Sequence, residues 1–129
     1  MKQLEIKPIN PKSVGVIFSP DGVLTISGVS CDEDPKPLYQ QLKNWVAEYI
    51  ANPAENTEFS IRLKYFNSSS AKCLFDLLES LNPIFHSGKA LTIYWYYEEA
   101  DEDMLDVITA FEDLIPAKIE KIKINSYSV

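Results

Sequence analysis

The feature that most constrains this fold is the regular exchange between two hydrophobic periods along the chain. Glu58 to Phe66 alternates strictly, with Phe59, Ile61, Leu63 and Tyr65 against Ser60, Arg62 and Lys64. Ala71 to Phe85 then carries Ala71, Leu74, Phe75, Leu78 and Leu81 at helical spacing. A period of two separates the faces of a strand, and a period of about 3.6 gathers one side of a helix. The exchange recurs in Leu91 to Tyr97 (strand), Asp101 to Ile115 (helix) and Ile119 to Ser126 (strand). Upstream, Val14 to Phe18 and Val23 to Val29 flank a Ser19-Pro20-Asp21-Gly22 turn, and a helix from Leu38 to Ala51 stops at Asn52-Pro53. A hairpin followed by alternating helices and strands predicts an α/β fold. Its sheet is mixed but mainly parallel, with about five strands and three helices. Strands covered on both faces would be apolar throughout. These alternate, so the helices are expected largely on one face, leaving Thr25, Ser27, Arg62, Lys64, Tyr94 and Tyr96 on the other. At 129 residues the chain is read as one domain, 1–129, with length enough for a real core.

Charge narrows the function classes. The net charge is −7, and the segment from Glu98 to Asp113 holds eight acidic residues with no Lys or Arg. The remainder is close to neutral, so the charge is local. Such a chain is ill suited to neutralising nucleic acid phosphates or to docking on an anionic membrane. The Met1–Ile6 start lacks the apolar core of a signal peptide, and the Ala90–Tyr97 run is too short to span a bilayer. Cys31 and Cys73 make no disulfide framework. A cytoplasmic protein with reduced thiols is the expectation.

Two helix-opening loops fall at the carboxyl edge of the expected sheet, where α/β proteins usually place their sites. Asn67-Ser68-Ser69-Ser70 offers a helix cap, which needs one such residue and here has four in a row. Capping is the first reading of the run; the second is a phosphate position, since a helix start presents free N–H groups and partial positive charge. Lys72 follows in the first turn. Glu98-Glu99-Ala100-Asp101-Glu102-Asp103 complements the next helix dipole, yet its five carboxylates also repel one another. It suits a docking patch for a basic partner surface or, as a second reading, a divalent cation site in a small metal-dependent enzyme. EF-hand spacing is absent. The lone His86 lies at a helix end near Ser87-Gly88 and reads as a C-terminal helix residue, with nothing to place it against a serine or cysteine nucleophile, and Cys73, Trp45 and Trp95 fit packed positions. No catalytic set, metal site or cofactor motif is expected.

Tyr65-Phe66-Asn67-Ser68-Ser69-Ser70-Ala71-Lys72 and Trp95-Tyr96-Tyr97-Glu98-Glu99-Ala100-Asp101-Glu102-Asp103-Met104 together resemble the SiaC family of bacterial regulatory phosphoproteins. Ile26-Ser27-Gly28, Ser30 and the Leu42-x-x-Trp45 helix closing at Pro53 extend the likeness over nearly the whole chain. The resemblance implies a STAS-like domain similar to anti-sigma-factor antagonists. It implies a non-enzymatic switch in which a partner kinase and a PP2C-type phosphatase act on a hydroxyl at the start of the second long helix. The downstream effector would be a protein such as a diguanylate cyclase, placing the chain in cyclic di-GMP signalling; an anti-sigma factor is the alternative partner. By position the modified residue is Ser68, where the family usually has Thr. Asn67, Ser69, Ser70, Glu98, Glu99 and Asp101 would contribute to partner recognition.

Overall fold

In the computed structural model, which describes residues 1–127, six strands form one sheet in the order of the chain. The last two residues of the expected 1–129 domain lie outside the described residues. Strands β1 (Leu4–Ile6), β2 (Val14–Phe18) and β3 (Val23–Ser30) pair antiparallel. Strands β4 (Asn56–Phe66), β5 (Ala90–Glu98) and β6 (Lys118–Ile124) then add in parallel. Helix α1 (Lys36–Tyr49) joins β3 to β4, α2 (Ser68–Glu79) and α3 (Asn82–His86) join β4 to β5, and α4 (Glu102–Leu114) joins β5 to β6. Each parallel strand is added on the same side of its predecessor. Crossovers of one hand therefore deposit every helix on the same face.

Burial follows from that topology. Leu24, Ile26, Phe59, Ile61, Leu63, Leu91, Ile93 and Trp95 face the helices and are buried. Thr25, Ser27, Tyr94 and Tyr96 on the opposite face are half-buried, while Arg62 and Lys64 are exposed. The one-sided α/β layer expected from alternation is what the chain adopts. Its helix layer packs through aromatic contacts: Phe111 of α4 meets Trp95 at 5.1 Å and Phe75 of α2 at 5.4 Å, both edge to face.

Four details depart from the sequence expectation. The sheet has six strands rather than about five, because Leu4–Ile6 adds an edge too short to show a period. There are four helices rather than three. The single helix expected over Ala71–Phe85 ends at Glu79 and resumes at Asn82, where Pro83 has no N–H to donate and its ring crowds the preceding turn. Tyr65, expected on the buried face, is 55% exposed, because the β3–β4 register shifts between Gly28 and Val29 and passes over Lys64. Leu114, which by helical spacing belongs to the packed stripe of Met104, Val107, Ile108 and Phe111, is exposed at the end of α4, and Ile115 takes the buried position beyond it.

Candidate functional site

Parallel pairing carries the chain from the carboxyl ends of neighbouring strands β4 and β5 into α2 and α4, so both candidate loops stand on one edge of the sheet. Asn67 builds the first. Its side-chain oxygen accepts from the Ser70 amide at 2.8 Å, capping α2. Its side-chain amide donates to the Asp32 carbonyl at 3.2 Å, and its backbone amide donates to the Ser30 carbonyl at 3.1 Å. Asn67 thus fastens the helix start to the segment leaving β3. Ser68 and Ser69 occupy the first helical turn and are exposed, whereas Ser70 is fully buried. The free surface of the triple-serine run is therefore Ser68 and Ser69, with Ser70 turned into the protein. Backbone amides in a first turn have no intrahelical acceptor, so an anion on Ser68 or Ser69 meets donors already oriented toward it.

Packing of α1 on α2 places further residues beside this turn. A groove of about 790 Å³ between the two helices is lined by Ser69, Lys72 and Cys73 from α2 and by Lys36 and Lys43 from α1. No spacing in the sequence links Lys36 or Lys43 to the serine run, because only tertiary contact brings them together. Burial, and next the nearby Asp76 carboxylate, push the Cys73 thiol up from its ordinary value. It stays a thiol at neutral pH rather than an activated nucleophile. Below the groove, the Ser30 and Tyr39 hydroxyls are hydrogen-bonded at 2.9 Å within the buried layer. Burial pushes the Tyr39 hydroxyl up to about 12.

The acidic loop is just as firmly built. The Glu99 amide donates to the Ile124 carbonyl of β6 at 2.8 Å, and the Asp101 amide donates to the Glu98 carbonyl at 2.9 Å. The Asp101 carboxylate caps α4 by accepting from the Met104 amide at 3.0 Å. Asp101 is thus engaged in structure, Glu98 is half-buried, and Glu99, Glu102 and Asp103 are exposed. Among the described residues no group of three or more His, Cys, Asp or Glu side chains is arranged to hold a metal ion. The carboxylates of 98–103 spread along a surface instead of converging on a point. His86 stands exposed on the short α3, and the neighbouring Ser87 hydroxyl donates to the Ile84 carbonyl at 2.7 Å.

No helix among the described residues is long and apolar enough to cross a membrane. Comparison with known proteins agrees with the motif resemblance. The chain is 28% identical over 92 residues to an uncharacterized protein of Pseudomonas aeruginosa (strain UCBPP-PA14), covering 71% of this chain and 73% of that one. Its fold is similar to apo-SiaC from Pseudomonas aeruginosa, with a TM-score of 0.83 and 24% identity over 95% of this chain and 99% of the other. It is similar also to a chain in the complex of the diguanylate cyclase SiaD with its activator SiaC, with a TM-score of 0.82 and 22% identity over 94% and 99%. The pattern of one family, described as SiaC family regulatory phosphoprotein, matches residues 10–124. With that match spanning most of its length, the chain belongs to the SiaC family of regulatory phosphoproteins, a regulatory family and not an enzymatic one.

Proposed function

We propose that this protein is a phosphorylation-controlled switch with Ser68 as its phosphoacceptor, set by a partner kinase and a PP2C-type phosphatase in the cytoplasm. The observation that carries the reading is the state of the α2 start, where Ser68 is exposed in the first turn of a helix capped by Asn67. A phosphate there adds about −1.5 to −2 charge and meets free amides and the helix dipole, so the turn accepts it without unfolding. The consequence is electrostatic. The acidic loop at the same edge already carries Glu98, Glu99 and Asp101, and each close exposed carboxylate opposes the phosphate by on the order of 1 kcal/mol before screening. A partner that fits the unmodified edge then meets an uncompensated anion. The related SiaC is described as the activator of the diguanylate cyclase SiaD, which makes a diguanylate cyclase the effector we assign. Asn67, Ser69, Glu98, Glu99 and Asp101 shape the surface it reads, and the buried Ser70 holds the turn.

Phosphopeptide mass spectrometry after incubation with the cognate kinase tests the site. Modification is expected on Ser68, abolished by Ser68→Ala and retained in Ser69→Ala. Phosphate on Ser69 alone would move the assignment by one residue, and an unmodified wild-type chain would sink it. In a pull-down, the effector is expected with wild type and Ser68→Ala and not with Ser68→Asp.

A further inference from the structure

The helix-free face of the sheet carries a groove of about 870 Å³ that the serine switch does not use. Its two walls are seated. On one side the Val29 amide donates to the Ser13 carbonyl at 3.2 Å, and Gly28 (φ 95°) allows this approach, since a Cβ there would collide with the Ser13 carbonyl oxygen. On the other side the Tyr127 hydroxyl donates to the Tyr96 carbonyl at 2.6 Å and lies 3.5 Å from the Leu63 carbonyl. It bridges the opening where β4 and β5 part beyond Ile61 and Trp95.

Between these walls the Arg62 guanidinium stacks over the Tyr96 ring, 4.0 Å from its centroid. Lys64, at the register shift of β4, lines the same groove. Neither cation is paired with a carboxylate among the described residues. Burial, and next the Glu98 and Asp101 charges, push the Tyr127 hydroxyl up to about 12, while Arg62 acts on the same hydroxyl in the opposite sense. Part of the rim is apolar: Ile9, 89% exposed, is the barest large hydrophobic side chain among the described residues, and Pro11 and Ile124 lie in the lining.

We propose that this groove binds a nucleotide, with its phosphate on Arg62 and Lys64 and its base against the Tyr96–Arg62 stack and the Ile9–Pro11 rim. Two cations beside an apolar wall match one phosphate joined to one flat ring. Arg62 offers a fork of donors to the phosphate, and the volume is that of a small-ligand site. Two cations in a chain of net charge −7 do not match a nucleic acid strand.

The test is calorimetric titration of the full chain with GMP, AMP, inorganic phosphate and an acidic peptide. One-to-one saturable binding of a nucleotide is expected, weakened about tenfold by Arg62→Ala and by Lys64→Ala, as loss of a charge-assisted hydrogen bond implies. Both side chains are exposed, so the variants keep the fold. Ser68→Ala should bind as wild type does, which separates this site from the switch. The proposal is overturned if neither nucleotide saturates, if both variants bind like wild type, or if phosphate alone binds as tightly. Capture of the acidic peptide without nucleotide binding would reassign the groove to a protein partner.

Discussion

Asn67 and Asp101 do the same work at the two candidate loops, each closing a helix start with one side-chain oxygen. Removing such a cap costs about 1 kcal/mol. Asn67→Ala should lose somewhat more than Asp101→Ala, because it also gives up the bond to the Asp32 carbonyl. Urea denaturation of the two variants measures the difference, and equal losses would mean that the Asp32 contact adds nothing. Two tyrosines set a limit at high pH. Burial pushes Tyr39 and Tyr127 up to about 12, helped at Tyr127 by the Glu98 and Asp101 charges, from 10.0 in an open chain. The folded state keeps these protons where the unfolded chain releases them. Their contribution is complete below the unfolded value and is lost as pH climbs toward the folded one. Denaturation midpoints should therefore fall between about pH 10 and about pH 12, and Tyr39→Phe or Tyr127→Phe should flatten the fall. An unchanged slope in both variants would place the effect elsewhere.

At the scale of elements, the periods in the sequence found every strand and helix longer than five residues and misjudged them mainly where backbone chemistry intervened. Leu74 and Leu78 were legible as the inner side of α2, but the break before Pro83 depends on a missing N–H that periodicity does not register. Tyr65 continues the alternation of β4 on paper, and the shift past Lys64 turns it outward. Helix α4 depends on one contact more than its pattern suggests. Phe111 touches both Trp95 of the sheet and Phe75 of α2, so it joins three elements. Phe111→Ala should cost about 3 kcal/mol or more by emptying that junction. Guanidinium denaturation would show it, and a loss under about 1 kcal/mol would mean that α4 resettles onto the sheet.

At the scale of the molecule, charge and topology meet on one edge. The exposed Glu99 and Glu102 belong to the segment that carries the net charge, and they bond to no other side chain among the described residues. Changing both to Gln should leave stability within about 0.5 kcal/mol of wild type. It should also slow association with the effector several-fold and flatten its salt dependence, as read by stopped-flow mixing at two ionic strengths. Association that keeps its rate and salt dependence would remove the acidic loop from the recognition surface.

What the sequence by itself determined is local or periodic: the strand and helix order, the single covered face, the cap in the Asn67 run, and the two motifs that carry the family. Each of these depends on neighbours within one or two turns of chain, where residue type and spacing set the geometry. Tertiary structure alone decided which serines of the run are free and which lysines stand beside them. It also decided that Arg62, a solvated side chain by pattern, lies on Tyr96 between two walls drawn from opposite ends of the chain. Those facts depend on how α1 meets α2 and on how the two terminal segments cross the open face. Contacts between residues that far apart leave no period in the sequence, because packing selects them only after the elements exist.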